Sequence, residues 1–410
     1  MTKLSLVLAV LAAAVPLAYS QTPGPPITCT LATPTPPSAP ANGESELVND
    51  VYLTCTTNEF SQSITIDVEL FLNTNLTSRI TDTATMSTEA LLLIDDPLPG
   101  VANTSNGFPY FGQVLGPPGI LAGAAGSGNV YQGTQVPATG GGVLANVVEF
   151  VGVPYLTGGT RTFRITNIRA NVGLLGVNPV EALVQITTNI AVGITNPEVP
   201  VANGANALNF TSGPLIGAIG LNLSFAELFP NAFKKRDENT TGPLTLAYQD
   251  VPGTPYCTQS GFTPEFVSLT PGAIGLAATG TRLFTSITNI PPGAFVLIVP
   301  DRVVSSSGEL VAHRVLPPFA TNFTGGTVTT SSGDGLVLVS ASHTAELLYE
   351  VTAAAPFLGV NGCGVLDTFN IGVFPLFPVP MTSAVVTGEL APLDPTAQAS
   401  ATAPEPRFLP

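Results

Sequence analysis

Tryptophan is absent from this chain, histidine occurs only at His313 and His343, and lysine only at Lys3, Lys234 and Lys235. Charged residues make up 10% of the sequence, less than half of the usual quarter. Each shortage excludes something. Twelve basic residues stand against 27 acidic ones, for a net charge of −15. That balance argues against nucleic acid and against anionic membrane surfaces, which both select Lys and Arg. The two histidines have no cysteine or close second histidine beside them, so no metal site is expected. No G-x-S-x-G elbow, H-E-x-x-H or P-loop is present, and no cofactor is expected. Without Trp, the strongest platform for a sugar ring is missing, although eight Tyr remain. Past the N-terminus no stretch reaches about 18 uninterrupted apolar residues, so the mature chain is expected to carry no membrane span.

What is present is apolar and small. Hydrophobic residues make up 44% of the chain, enough for a core despite the low charge. Mean hydropathy is +0.39, high for a soluble protein. The surface must therefore consist of Thr, Ser, Asn, Gly and exposed apolar groups, which repel one another weakly. Residues Met1 to Ser20 have the pattern of a secretory signal peptide: Lys3, an apolar run from Leu4 to Val15, then small Ala18 and Ser20 before Gln21. The expected location is secreted, extracellular or at the cell surface. Four cysteines, Cys29, Cys55, Cys257 and Cys363, read as two disulfides in an exported chain. Three pairings are open; Cys29–Cys55 and Cys257–Cys363 are favoured because each stays within one domain. No C-x-x-C occurs.

Many short runs have strand chemistry. In Ile64 to Leu72, Ile64, Ile66, Val68 and Leu70 alternate with Thr65, Asp67 and Glu69, the period of a half-buried strand. The stretch Asn196 to Asn206 is polar and rich in breakers and is read as a domain boundary. The expected organisation is a β-sandwich over 21–195, a second over 207–390, and a disordered Pro/Ala/Thr-rich tail over 391–410. The expected fold is all-β, two tandem antiparallel β-sandwich, immunoglobulin-like domains with one short helix. That helix is placed on Ser224 to Arg236, capped by Ser224, closed by three basic residues and interrupted by Pro230. An internal echo supports duplication: GTRTFRITNI over Gly159 to Ile168 matches GTRLFTSITNI over Gly280 to Ile290, with one residue inserted that predicts a bulge.

Reactive groups are sparse. Asp95–Asp96 precedes Pro97 and reads as a turn; Asp67 and Glu69 share one strand face and read as solvated rather than as an acid/base pair. Ser332-Gly-Asp-Gly335 is too sparse for a calcium loop. Arg161 and Arg169 are expected on one strand face with Arg164 on the other, as salt-bridge partners for the abundant acids. Six N-x-S/T sequons, at Asn75, Asn103, Asn209, Asn222, Asn239 and Asn322, are glycan acceptors if the chain passes through a eukaryotic secretory pathway. Lys235-Arg236 reads as the basic end of the helix, with dibasic processing as the alternative.

The segments GESELVNDVYLTCT, LFLNTNLTSRI, GTRTFRITNIRANV, FAELFPNAFKKR and LAPLDPTAQASATAPEPRF resemble a group of exported, β-rich proteins of soil Acidobacteria. The resemblance implies export, a β-rich fold and unmodified sequons. It lends no activity and no site residues. Taken together, the sequence points to a non-catalytic exported protein of the cell surface or extracellular matrix, acting by adhesion or assembly, with self-association or other matrix components as partners. A soluble ligand- or glycan-binding module and a secreted hydrolase are the alternatives.

Overall fold

The computed structural model describes residues 27–391 except 44, 58–62, 79, 83–84, 95–129, 138–142, 157–158, 216, 218, 231, 234–279, 309, 320–324, 330 and 354–364. The expected signal peptide over Met1 to Ser20, the C-terminal tail beyond Ala391, Asp95–Asp96, Lys235-Arg236, Cys257, Cys363, Asn103, Asn239 and Asn322 lie outside the described residues.

The described chain is all-β. Its first half holds β1 (Ile27–Ala32), β2 (Ser38–Pro40), β3 (Glu46–Leu47), β4 (Val51–Thr57), β5 (Ser63–Leu72), β6 (Ile80–Asp82), β7 (Ser87–Ile94), β8 (Val130–Pro137), β9 (Val143–Leu156), β10 (Gly159–Thr166), β11 (Arg169–Ala170), β12 (Pro179–Thr187), β13 (Val192–Thr195) and β14 (Glu198–Ala205). Twelve of these form one sheet, in the order β13-β1-β4-β10-β7-β8-β9-β5-β12-β14-β2 with β6 beside β7. Period-two burial explains the strands: β1 and β4 send every second residue inward, Ile27, Cys29 and Leu31 from one, Val51, Leu53 and Cys55 from the other. One core collects side chains from both ends of that sheet, from Ile27 to Ala202, so the sheet curls round a single interior. Cys29 and Cys55 stand directly opposite on β1 and β4, with Cα atoms 4.0 Å apart, and form a disulfide inside this core. Closing a loop of that length removes denatured-state freedom worth about 3 kcal/mol.

The second half holds β15 (Leu208–Leu215), β16 (Gly220–Glu227), β17 (Arg282–Thr288), β18 (Val296–Pro300), β19 (Arg302–Val304), β20 (Leu310–Phe319), β21 (Gly325–Val328), β22 (Asp334–Leu338), β23 (Ala345–Ala353), β24 (Thr368–Pro375) and β25 (Val385–Ala391). These make a five-stranded sheet, β15-β16-β24-β18-β22, and a six-stranded sheet, β19-β20-β23-β17-β25 with β21 beside β20. A second core lies between them: Leu223, Phe225, Leu297, Phe369, Ile371 and Val373 from one sheet, Leu283, Ile287, Leu310, Leu347, Tyr349 and Val351 from the other. The two cores share no residue.

Three expectations change. The helix expected on Ser224 to Arg236 does not form over its described residues: Ser224 to Glu227 complete β16, where Leu221, Leu223 and Phe225 alternate inward, and a turn follows at Leu228–Pro230. Period-two burial overrides the helical spacing, and Pro230 supplies no N–H. The buried Glu227 carboxylate instead ties this turn down, accepting from Phe233 N–H at 2.7 Å and Asp367 N–H at 2.8 Å. The only helical turn among the described residues is a 3-10 piece, Val172–Leu174, capped by Asn171. Next, most of the breaker-rich stretch after Asn196 is strand β14, paired with β12 and β2, with Val199, Val201 and Ala202 in the first core. Gly204 is required there, because a Cβ would run into the Gly176 carbonyl.

Third, the inserted residue of the echo makes no bulge. β17 keeps continuous register with both β23 and β25. Counted back from the shared ITNI, Phe163 faces the first core, whereas Phe284 is moved to the opposite face of its strand. It joins Val315, Leu348 and Ala391 in a small separate cluster. The ends of the two copies do agree. Asn167 and Asn289 both adopt left-handed φ, 59° and 53°. Both are followed by an isoleucine only 1% exposed, Ile168 and Ile290. Both carbonyls accept from a serine, Ser78 at 3.0 Å and Ser383 at 3.2 Å.

Candidate functional site

The two histidines do not converge. His313 is buried on β20, opposite Glu350 of β23 and Arg302 of β19. His343 lies in the turn before β23 with a left-handed φ of 59°. Five strand positions separate Glu350 from Ala345, about 17 Å at the rise of an extended strand, and His343 lies beyond that. Glu350 serves Arg282 instead, accepting from its Nε at 3.2 Å and its Nη2 at 3.0 Å. Arg314 likewise pairs with a carboxylate, its Nε 2.6 Å from Asp301. Tyr349 donates to the Pro300 carbonyl at 2.7 Å, and burial above all holds its hydroxyl protonated far above the usual tyrosine range. These groups are consumed in holding strands together.

The arginines of the first half behave likewise. The left-handed Asn167 ends β10, so Arg169 belongs to a different sheet from Arg161 and Arg164, and the expected face-sharing does not arise. Arg164 and Arg169 are both buried, Arg164 beside Asp50 at 3.7 Å. Around them three distant segments are stitched by polar contacts: Thr77 Oγ1 to Ser45 Oγ at 3.2 Å, Thr74 Oγ1 to the Asn171 carbonyl at 2.6 Å, and Arg169 N–H to Ser78 Oγ at 2.9 Å. This buried polar layer left no signal in any local pattern.

The carboxylates of β5 have a third member that the sequence reading missed. Glu149 of β9 stands directly opposite Glu69. Its pKa is raised, first by burial, then by Glu69 and Asp67. Asp67 itself sits at a register shift and accepts the N–H of Gly152, a glycine with φ 72°, at 2.7 Å. It anchors a bulge. Among the described residues no group of three His, Cys, Asp or Glu is placed to hold a metal ion. Ser332 and Gly333 lead into β22, whose first residues are Asp334 and Gly335, and Gly333 N–H is bonded to Ser331 Oγ. Of the described sequons, Asn209 is exposed on β15 and Asn222 half-buried on β16, 3.4 Å from Asn370; at Asn75 the sequon threonine, Thr77, is fully buried.

The unusual surface is apolar. On the outer face of the five-stranded sheet, register places Leu338 beside Val296, and Leu336 beside Ile298, which is beside Phe374. Leu376 N–H bonds the Val296 carbonyl, so Leu376 completes the first row. Six apolar side chains thus form two adjacent rows across three strands. Leu338 is 79% exposed, Leu336 60% and Leu376 44%. Phe295 and Phe377, 66% and 61% exposed, extend the same end. β22 borders a cleft of about 550 Å³, lined on its far side by Arg314, Pro317, Thr344, Glu346 and Leu348. No Tyr or Phe lines it, so it offers no aromatic platform for a sugar.

No family model matches the chain, and no curated protein matches it. Among solved structures it is similar to a "Biofilm associated protein - B domain", at 9% identity and a TM-score of 0.21, over 88% of this chain and 85% of that one. A "Biofilm associated protein - BSP domain" gives 9% identity and a TM-score of 0.19, over 79% of this chain and 49% of that one. At such TM-scores neither likeness carries an argument about fold or function. No helix among the described residues is long and apolar enough to cross a membrane.

Proposed function

We propose that this chain is an exported, non-catalytic protein that works at the cell surface or in the extracellular matrix by adhesion or assembly. In this reading its two cores belong to two tandem sandwich domains of immunoglobulin-like type behind a cleaved signal peptide. The observation that carries the proposal is the six-residue apolar face on β18, β22 and β24. Scattered apolar residues are ordinary on a protein surface, whereas a contiguous patch marks an interaction site. The placement of the reactive groups supports the same reading, since His313, Arg282, Glu350, Arg314 and Asp301 are engaged in strand pairing rather than gathered at an open site.

The experiment is adhesion of the exported protein to cells and to plates coated with matrix polymers, compared with Leu336→Thr/Leu338→Thr. Retention by the wild type and loss in the variant, with unchanged thermal unfolding, is expected. Equal failure of both proteins to bind any cell or polymer overturns the proposal.

A further inference from the structure

β22 and β23 follow one another in the chain but join different sheets. A tight turn connects them: Ser340 N–H bonds the Thr344 carbonyl at 2.8 Å, and His343 N–H bonds the Ser340 carbonyl at 3.0 Å. From that turn β22 runs beside β18 in the five-stranded sheet, and β23 runs between β17 and β20 in the six-stranded one. The two strands therefore diverge, and the cleft of about 550 Å³ is the wedge between them. Arg314, Val315 and Pro317 of β20 close its wide end. The register of β20 with β23 ends at the Arg314–Tyr349 pair, and from Val315 onward β20 pairs with β21. Among the described residues no strand fills the wedge. Cavities of about 300–1,000 Å³ with apolar walls and a few placed polar groups suit small ligands.

The walls are apolar, with Val315, Leu336, Leu338, Ala345 and Leu348 among the lining residues. The polar end is the Arg314 guanidinium. Gly335 leaves room for that group, since a Cβ there would run into its Cζ and Nη2. A guanidinium carries five N–H groups. Nε donates to Asp301 and Nη1 reaches the Leu336 carbonyl at 3.5 Å, so three N–H groups are left without a partner among the described residues. They are donors with no net charge behind them, because Asp301 cancels the cation from 2.6 Å. The other charged residue of the lining is the exposed Glu346, and the whole chain stands at −15. That balance disfavours an anionic ligand. A cationic one would hold its head at the solvated Glu346 and leave the Arg314 donors unused. A neutral acceptor with an apolar chain matches both ends of the cleft. We propose that the cleft binds a neutral acyl compound, an amide or ester of a medium-length fatty acid. Its carbonyl oxygen accepts from Arg314, and its chain lies along the apolar walls toward the Ser340–Thr344 turn. The site is distinct from the adhesive face. Leu336 and Leu338 border both, whereas Val296, Ile298, Phe374 and Leu376 of the face do not line the cleft.

The test is calorimetric titration of the full exported chain at pH 7 with octanamide, octanoate and octylammonium, which share one chain and differ in head charge. Octanamide is expected to bind saturably, and the two ions at least about tenfold more weakly. Thr344→Trp, at a half-buried position in the turn, places an indole in the narrow end of the wedge and is expected to abolish binding with thermal unfolding unchanged. Leu376→Asp lies on the adhesive face but outside the cleft, and octanamide binding is expected to survive it. No saturable binding of octanamide, equal or tighter binding of either ion, or binding that survives Thr344→Trp but not Leu376→Asp overturns the inference. Matrix adhesion measured on the same two variants keeps the ideas apart: adhesion by a chain that takes up no octanamide refutes the acyl site and leaves the adhesive reading standing.

Discussion

The two halves of this chain solve the same problem differently. Both must enclose an apolar core between strands. The first curls one sheet of twelve strands around its core, pins β1 to β4 with the Cys29–Cys55 disulfide, and fills one end with buried polar side chains. The second packs two shorter sheets together and draws on close ion pairs, Arg282–Glu350 and Arg314–Asp301. The price of the second solution is an edge: β22 ends its sheet beside an apolar outer face, and there the proposed interaction resides. One curled sheet has fewer edge strands to offer than two separate ones.

The sharpest way to break this comparison is to unpair a buried ion in each half. Glu350→Ala strands Arg282, which is 8% exposed in its pair, and is expected to cost about 3–5 kcal/mol in denaturant unfolding. Asp50→Asn, at the looser 3.7 Å contact with a partly exposed aspartate, should cost well under half of that. Similar losses at both would show that the halves depend equally on their ions. A smaller effect tests the duplicated strand end. Asn167→Ala and Asn289→Ala each force an alanine into left-handed φ, at about 1–2 kcal/mol, and Asn167→Ala should cost more because its side chain is buried. Replacement by Gly at Asn289 should be nearly neutral, measured by thermal unfolding. The smallest effect concerns Glu149. Its folded-state pKa is raised, so the folded chain holds this proton more tightly than the unfolded chain does. Stability from this group is therefore present at low pH and lost as pH rises through the raised value. Glu149→Gln should raise the melting temperature slightly at pH 7, with the difference vanishing near the ordinary glutamate pKa of about 4.3. A variant that stabilises equally at both pH values would show that charge repulsion is not the cause.

Strands with clean alternation were legible. The strand Ser63–Leu72 lies within a residue of where the alternation of Ile64 to Leu72 placed it. β14 was not, because Pro200 and Gly204 read as punctuation, while neighbouring strands accommodate them. The helix expected at Ser224 failed because capping and charge signals are local, whereas Phe225 and Leu223 gain more from reaching a core built by residues some 60 to 150 positions away. Asp67 and Glu69 could be seen on one face, but their third neighbour, Glu149, comes from a different strand, and only register brings it opposite. The apolar face was hidden for the same reason: Leu336, Val296 and Leu376 belong to three separate segments.

By itself, the sequence determined an all-β chain, because period-two patterning and Gly/Pro punctuation act over a few residues and admit one secondary structure. It also determined a surface poor in charge, since composition cannot be refolded away. Tertiary structure alone decided that twelve strands of the first half share one sheet while the second half packs two, that one inserted residue moves Phe284 out of the core, and that β22 ends its sheet with its leucines exposed. Those outcomes depend on which strands become neighbours, and strand neighbours are chosen by side chains distant in the chain.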